Sequence, residues 1–276
     1  MNSHLIIASR LLTTHRQYYR LIYLHGIRLK SQEKDGDEAA GNEKRGSEAK
    51  GILYDGHIPT SPLQKLCLAA GSSLMSLTDP WRHDMIAVCG ETTGHGALQQ
   101  MLQKMSQDKE GMDILMERPS INTTTIKFDE LRSLPPSSFG YQYADFMDKN
   151  HISPDTRDPV KFVDDAELAY VMKRYREVHD LVHCLLGMRT NMLGEVTVKW
   201  VEAVQTNLPM AWAGGLFGAV RLAPMQRRKY VTSYLPWALR CGHEAGFIYN
   251  IYYEKRWSQD FDDLRRQLRI PHPPHE

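Results

Sequence analysis

The sequence predicts an all-α protein in which a single helical-bundle domain follows a presequence and a flexible linker. Apolar residues recur at three- and four-residue spacing in two long segments, and the loops between the predicted helices are short. With 42% hydrophobic residues the chain can bury a sizeable core, which excludes a wholly disordered or fibrous protein. The most apolar stretch, residues 208–220, is cut short by Arg221 and is interrupted by glycines, so it is not expected to span a membrane.

The first thirty residues have the composition of a mitochondrial presequence. Residues 1–30 contain five basic residues and no acid, and their leucines and isoleucines are interleaved with arginines, serines, threonines and tyrosines. A basic amphipathic helix of the mature protein, lying on an anionic membrane, is the alternative interpretation. Residues 31–50 have three alanines as their only apolar residues, so they cannot offset the entropy of ordering and are predicted to form a disordered charged linker.

A helical domain is predicted over residues 51–270, followed by a flexible tail at 271–276. Its first helix begins at Ser61 and ends at Asp79, because apolar residues recur between them at helical spacing: Leu63, Leu66, Cys67, Ala70, Leu74 and Leu77. Further helices are predicted over about 81–88 and 97–105. The glycine-rich turn between these two lacks the GK[ST] of a phosphate-binding loop, so its glycines are expected to serve helix packing.

The residues that carry chemistry lie on a helix predicted over residues 164–186. At 100° per residue, Leu168 lies 20° from His179 in direction and His183 lies 40° from it, so both histidines share the apolar, core-facing side of this helix. Two histidines four residues apart place their rings one turn apart. This is the spacing at which a helix offers two ligands to one metal ion.

Two carboxylates complete the candidate metal site. A helix beginning near Leu193 lets Glu195 face back toward the histidines, and Asp180 lies about 100° from His179, where it can ligate directly or accept a ring N–H. A zinc-protease helix would instead have glutamate at position 180, and a phosphohydrolase of the HD type needs further ligands that cannot be assigned. In a purely structural arrangement the histidines only pack and Glu195 caps a helix. Metal binding is the favoured interpretation.

The segment HDLVHCLLGMRTNMLGE resembles the HDxxH-x11-E signature of the ubiquinone (coenzyme Q) biosynthesis protein 4 family, and the chain is similar to its animal mitochondrial members. The resemblance extends over nearly all of residues 51–270. It includes the stretches HIPTSPLQKLCLAAGSSLMSLTDPWRHDMIAVCGETTG, RTNMLGEVTVKWVEAVQTNLPM and WALRCGHEAGFIYNIYYEKRW. The presequence, and four cysteines without a CxxC spacing, which indicate a reducing compartment, agree with those members.

The resemblance implies an all-helical domain attached peripherally to the matrix side of the mitochondrial inner membrane, within the multisubunit complex that builds ubiquinone. It implies that His179, Asp180, His183 and Glu195 are metal ligands, with Zn²⁺ as the metal. The implied activity is that of a carboxy-lyase, which removes the C1 carboxylate of a polyprenylated 4-hydroxy-3-methoxybenzoate, either simply or oxidatively with C1 hydroxylation. The alternative is a non-catalytic, lipid-binding scaffold of the same complex. Two histidines and a carboxylate also bind non-haem iron, so the sequence leaves iron open.

Catalysis in such an enzyme needs a proton for C1, and Asp180 is the predicted donor, bound to the metal weakly or through water. The isoprenoid tail needs an apolar channel, for which the sequence offers eleven candidates: Leu63, Leu66, Leu74, Met75, Met101, Met105, Leu208, Met210, Trp212, Leu216 and Phe217. No basic patch with interleaved aromatic residues predicts a nucleic-acid partner. The oligomeric state is left open, and a homo-oligomer is compatible with the sequence.

Overall fold

The all-α prediction is confirmed by the computed structural model, which describes residues 51–79 and 82–274. The presequence, the linker and the last two tail residues lie outside the described part. Within it there is no strand, and one isolated antiparallel bridge joins Ser138 and Asp260. The α-helices are α1 Pro62–Thr78, α2 His83–Thr93, α3 His95–Gln107, α4 Lys109–Glu117, α5 Phe128–Arg132, α6 Phe139–Asn150, α7 Ala166–Glu177, α8 His179–Leu186, α9 Met192–Thr206, α10 Pro209–Val220, α11 Pro224–Lys229, α12 Leu235–Glu244 and α13 Phe261–Gln267.

Helix α1 begins and ends where its sequence predicts. The Ser61 hydroxyl accepts a hydrogen bond from the backbone N–H of Gln64, and the Gln64 side chain accepts one from the backbone N–H of Ser61. This capping box satisfies two N–H groups that a helix end leaves unpaired, and Pro62 occupies the first turn, where its missing N–H costs nothing. Helix α2 is longer than predicted, since it continues to Thr93.

The helix predicted over residues 164–186 is two helices. Asp165 caps the first by accepting hydrogen bonds from two backbone N–H groups; α7 ends at Glu177 and α8 begins at His179, with Val178 between them. The last turn of α7 is held by buried ion pairs of Arg174 with Glu254 and of Arg176 with Glu91, each with a shortest distance of 2.6 Å. The prediction of one continuous helix is wrong at Val178, because helical periodicity does not register an interruption of a single residue.

The core is built around α8 and α9. All eight residues of α8 are buried. Helix α9 packs against α10 on one side and α12 on another. The approach of α10 is close, because a Cβ atom added to Gly215 would come within 3.0 Å of the Trp200 indole ring. Of the predicted tail, residues 271–274 are described, and the Trp237 indole N–H donates to the backbone carbonyl of His272 at 2.6 Å.

In the part of the chain that the structure describes, none of the helices combines the length and the hydropathy that crossing a bilayer requires. The most apolar of them, α10, is twelve residues long. At 1.5 Å per residue it measures about 18 Å, against about 30 Å for the hydrocarbon core of a bilayer.

Candidate metal centre

Three of the four predicted ligands meet between α8 and the first turn of α9. His179 Nε2 lies 3.5 Å from Glu195 Oε2, and His183 Nε2 lies 3.4 Å from Glu195 Oε1. One ligand atom from each of the three residues falls within 4.8 Å of the others. The prediction that both histidines face the core is confirmed, since His183 is fully buried and His179 is 7% exposed.

The loop between α8 and α9 turns Glu195 back onto the histidines. Gly187 ends α8 in the left-handed region, at φ +67°, a conformation that glycine adopts more readily than any other residue. Asn191 then caps α9 by accepting a hydrogen bond from the backbone N–H of Gly194 at 2.9 Å. A Cβ atom on Gly194 would lie 1.9 Å from the carbonyl oxygen of Arg189, so the loop passes α9 at a distance that excludes any side chain there.

The three residues fit a metal ion in spacing and in chemistry. A tetrahedral zinc ion with ligands at about 2.0–2.1 Å separates neighbouring ligand atoms by about 3.3 Å, close to the two distances between the histidines and Glu195. Among the described residues, His183 Nε2 is buried without a hydrogen-bond partner. Buried polar atoms are rarely left unsatisfied, so a bound metal ion is a natural partner for this nitrogen. Two imidazoles and one carboxylate suit zinc and also non-haem iron.

Each imidazole is oriented by an acceptor on its other nitrogen. His179 Nδ1 lies 2.8 Å from Glu202 Oε1, and His183 Nδ1 lies 3.2 Å from the carbonyl oxygen of Met188. The Met188 carbonyl oxygen can only accept a hydrogen bond, so Nδ1 of His183 carries a proton. We assign the Glu202 carboxylate as an acceptor as well, which places a proton on Nδ1 of His179. This tautomer directs the Nε2 lone pairs of both rings toward Glu195. Histidine ligands of metal sites in proteins are commonly held in this way.

Glu202 is a functional residue that the sequence analysis missed. Its carboxylate is fully buried and accepts hydrogen bonds from the Tyr175 hydroxyl at 2.7 Å and the Lys199 ammonium at 2.6 Å, in addition to that from His179. The signal was present in the sequence, because Glu202 follows Glu195 by seven residues and therefore lies on the same face of α9 two turns later.

The charges around the site act on one another strongly. Burial alone raises the pKa of a carboxyl group, but in Glu202 the charges of Lys199 and His179 outweigh burial and hold the pKa well below its usual value. Burial also opposes ionisation of Glu195, but the neighbouring imidazoles of His179 and His183 outweigh burial and lower the pKa of this carboxyl group. Burial and the charge of Lys199 lower the pKa of His179, whereas Glu202 and Glu195 raise it. The two carboxylates have the larger effect, so the pKa of His179 is above its ordinary value.

Asp180, the fourth predicted ligand, does not belong to the cluster that His179, His183 and Glu195 form. It is buried, and its Oδ1 accepts a hydrogen bond from Arg157 Nη2 at 2.6 Å. The two residues also form an ion pair. Its position about 100° around the helix from His179 turns the carboxylate toward the loop that carries Arg157. The ligand and proton-donor roles of Asp180 therefore stay predictions.

The structure divides the eleven candidates for an apolar channel into buried, exposed and partly buried residues. Four are in the core: Met101, Met105, Leu208 and Met210. Six are exposed on α1 and α10: Leu63, Leu66, Leu74, Met75, Leu216 and Phe217. Trp212 is partly buried and packs against the core. The set as a whole does not line one channel, since helical spacing alone does not distinguish an inward apolar stripe from an outward one.

The fold and the site together define an all-helical protein with a candidate metal centre made by two histidines and a glutamate of neighbouring helices. A family model described as "Coenzyme Q (ubiquinone) biosynthesis protein Coq4" matches residues 54–274. The chain belongs to this family, which confirms the resemblance noted in its sequence.

Curated relatives agree over the same region. A protein of Homo sapiens is 54% identical over 228 residues, which cover 83% of this chain and 86% of that protein, and one of Xenopus tropicalis is 56% identical over 222 residues, which cover 80% and 79%. Both are named "Ubiquinone biosynthesis protein COQ4 homolog, mitochondrial". The crystal structure of a candidate ubiquinone biosynthesis protein from Nostoc punctiforme is similar to this chain, with a TM-score of 0.61 at 20% sequence identity. The match covers 76% of this chain and 99% of the Nostoc chain. That likeness shows the fold.

Proposed function

We propose that this protein removes the C1 carboxylate of a polyprenylated 4-hydroxy-3-methoxybenzoate in mitochondrial ubiquinone biosynthesis, as a metal-dependent carboxy-lyase. It acts on the matrix side of the inner membrane within a multisubunit complex of ubiquinone biosynthesis proteins. Family membership and the mitochondrial names of the relatives support the pathway and the compartment. The observation that carries the proposed activity is the convergence of two buried imidazoles on Glu195, with one ring nitrogen lacking any other partner.

His179, His183 and Glu195 would hold the metal. Three protein ligands are typical of catalytic zinc sites, which keep a further position for water or substrate. When bound, zinc supplies Lewis acidity that binds a carboxylate or phenolate and stabilises developing negative charge. Glu202 fixes the tautomer of His179, and Lys199 balances the charge of Glu202 inside the protein.

Simple decarboxylation breaks the bond between C1 and the carboxylate and forms a C1–H bond, so the products are the protonated ring and CO₂. The proton needs a donor beside the ring, and we assign it to Asp180, directly or through water. Asp180 is adjacent to His179 in the chain, and Arg157 holds its carboxylate at Oδ1. The oxidative variant, which installs a C1 hydroxyl, requires dioxygen and an electron source. Zinc is redox-inert, so that variant would favour iron on the same ligands.

The test is to supply the purified, metal-assayed protein with a prenylated 4-hydroxy-3-methoxybenzoate and to measure both CO₂ and a C1-hydroxylated product. His183→Ala should lose the metal and turnover together, because it removes a fully buried ligand. The exposed His95 provides the matched control, and His95→Ala should retain both. Full turnover by metal-free His183→Ala protein would exclude the metal centre from the chemistry.

Asp180→Asn tests the assigned proton donor separately from metal binding. We expect the variant to retain metal and to lose about 10²–10⁴-fold in turnover, the range typical of general acids. Loss of the metal in this variant would instead make Asp180 a ligand, as the family resemblance implies. Unchanged turnover with retained metal would remove Asp180 from the mechanism.

A second candidate function is that of a non-catalytic organiser of the ubiquinone-synthesising complex. It is favoured by the exposed apolar side chains of α1, which a docking protein would be expected to carry. Chelation distinguishes the two functions. A catalytic site should lose metal while the helical fold persists, whereas a purely structural zinc site should unfold the domain when the metal leaves. Circular dichroism during chelation measures the difference.

A further inference from the structure

Helix α1 presents its apolar stripe to solvent. Leu63, Leu66 and Leu74 are 70%, 66% and 63% exposed. With Leu63 set at 0°, six apolar residues of the helix fall within about 50° on either side of a common direction, whereas Ser72 lies at 180° and Leu68 and Met75 lie outside this stripe, at 140° and 120°; the six are Leu63, Leu66, Cys67, Ala70, Leu74 and Leu77. Ser72 is the buried residue of the helix, and the Ser73 hydroxyl lies 3.3 Å from Cys89 Sγ of α2. The helix therefore meets the rest of the protein on the side of Ser72 and Ser73, and its apolar stripe faces outward, the reverse of a usual surface helix.

Helices α10 and α11 continue this surface. The Arg221 guanidinium at the end of α10 donates to the carbonyl oxygen of Leu77 on α1, and Arg227 of α11 donates to that of Val220 at 3.0 Å. These bonds place the ends of the three helices side by side. Their exposed apolar side chains are Leu63, Leu66, Leu74, Leu77, Leu216, Phe217, Val220 and Met225, and we call this surface the apolar face.

Within the three helices that carry the apolar face, all charged side chains are basic. Residues 56–78 contain no acid, and residues 203–243 contain none either, although the whole chain has 33 acids against 34 bases. The second of these segments carries five bases: Arg221, Arg227, Arg228, Lys229 and Arg240. Arg228 and Lys229 are both exposed at the end of α11. Exposed leucines bordered by bases and without acids are complementary to the headgroups and acyl chains of an anionic bilayer.

We propose that the apolar face docks on an anionic lipid bilayer, with the leucines of α1 in the acyl region and Arg228 and Lys229 among the phosphates. The inference rests on the proposed function in that a prenylated substrate is dissolved in such a bilayer. Helix α10 has two sides in this arrangement. Its outer side belongs to the apolar face, and its inner side packs on α9, where a Cβ on Gly218 would meet the Val196 side chain at 2.6 Å.

The orientation that follows brings the metal centre close to the lipid. Val196, which Gly218 of α10 contacts closely, is the residue after Glu195. Helix α10 therefore lies between the apolar face and the turn of α9 that carries the carboxylate ligand. Packed helix axes are about 8–10 Å apart. Docking through the apolar face therefore holds the metal centre within about two helix diameters of the membrane surface, where the head of a lipid-anchored substrate can reach it.

The chain contains its own reporter for this contact. Cys67 is exposed at one edge of the α1 stripe, whereas Cys89, Cys184 and Cys241 are buried. Burial raises the pKa of the Cys184 and Cys241 thiols to about 12, which further disfavours their reaction. A thiol-reactive, polarity-sensitive fluorophore should therefore label Cys67 of the full chain selectively. Adding phosphatidylcholine vesicles that contain cardiolipin should shift its emission to the blue, and a quencher carried on the acyl chains should reduce it.

Two variants test the apolar and the basic parts independently. Leu63→Gln with Leu74→Gln should abolish the shift and, because both side chains are exposed, leave thermal stability unchanged. Arg228→Gln with Lys229→Gln should weaken binding to cardiolipin vesicles about thirtyfold, at about fivefold per basic side chain, and leave binding to pure phosphatidylcholine vesicles unchanged.

The matched control is Met116→Gln with Lys127→Gln, which changes an exposed apolar and an exposed basic residue outside the apolar face, 55% and 75% exposed respectively. It should bind vesicles like the unaltered protein. Vesicle binding with a probe that stays in water would assign membrane contact to another part of the chain and overturn the proposal. A blue shift of the fluorophore without lipid that grows with protein concentration would show that the face contacts a second copy of the chain. Absence of vesicle binding would indicate that the face contacts a protein partner instead. Either result would overturn the proposal.

Metal content and turnover with a detergent-solubilised substrate, measured on the same variants, keep this inference distinct from the proposed function. Variants of the apolar face should retain both, because none of the substituted residues contacts a candidate ligand. Lost turnover in His183→Ala with normal vesicle binding concerns only the metal centre. Normal turnover with unaltered vesicle binding in both face variants refutes only the docking surface.

Discussion

Replacing Glu202 by glutamine isolates the contribution of a single hydrogen-bond acceptor to the metal centre. The substitution keeps the shape of the side chain but removes its charge. It weakens the acceptor of the His179 Nδ1 proton and leaves the Lys199 ammonium, whose side chain is 18% exposed, without its anionic partner. Since Glu202 itself is fully buried, water cannot replace the lost interactions.

The expected magnitudes differ for binding and for stability. Loss of an acceptor behind a ligating histidine typically weakens metal affinity about 10–100-fold, because the ring loses both orientation and basicity. Breaking a buried ion pair by removing one partner typically costs about 3–5 kcal/mol of unfolding free energy. We therefore expect Glu202→Gln to weaken zinc binding by this factor and to lower the denaturation midpoint of the metal-free protein.

Competition with a chromophoric chelator measures the affinity, and urea unfolding in the presence of chelator measures stability. The control is Glu254→Gln, which breaks the buried pair with Arg174 at a comparable cost without touching a candidate ligand. It should lower stability and leave zinc affinity unchanged. If Glu202→Gln binds zinc as tightly as the original protein, or if Glu254→Gln weakens binding equally, the orienting role assigned to Glu202 is refuted.

Three further predictions concern the same site. The pKa of His179 is raised above 6.5, so protons compete with the metal for this ring. Zinc affinity should therefore increase as pH rises through values above 6.5. A chelator titration at several pH values measures this, and an affinity that does not change with pH would contradict it. The lowered pKa of Glu202 stabilises the metal-free fold above pH 4.5, and this stabilisation should be lost as pH falls below that value, as acid unfolding of Glu202→Gln and the original protein would show. Gly194→Ala should displace the loop at Arg189 and weaken zinc binding, whereas Gly96→Ala, with open space around it, should not; calorimetry on both variants measures the contrast.

Much of the local structure follows from the sequence because it depends on neighbours in the chain. The Ser61–Pro62 start of α1 needs only a capping side chain and a proline, both within four residues. The face shared by His179 and His183 needs only the helical period. The ion pairs that anchor α7 could not be predicted in this way, because their partners, Glu91 and Glu254, are about eighty residues distant in the chain.

The candidate site shows the same division. The spacing of His179, His183 and Glu195 determined that two helix turns could offer three ligands to one ion. Only the tertiary structure shows that Glu202 contacts His179 Nδ1 and that Asp180 accepts a hydrogen bond from Arg157. Hydrogen bonds between different elements depend on how those elements pack, which the sequence pattern does not contain.

The sequence by itself determined that this chain is helical, where α1 begins, and that a histidine pair lies on a core-facing stripe. It also determined that α1 is amphipathic, but not which side of it faces the protein. Periodicity is a property of consecutive residues and is the same whether an apolar stripe is covered or open. The tertiary structure decided that the polar side, at Ser72, meets the protein and that the leucines face outward, because the surface that covers a helix is supplied by residues far away in the chain.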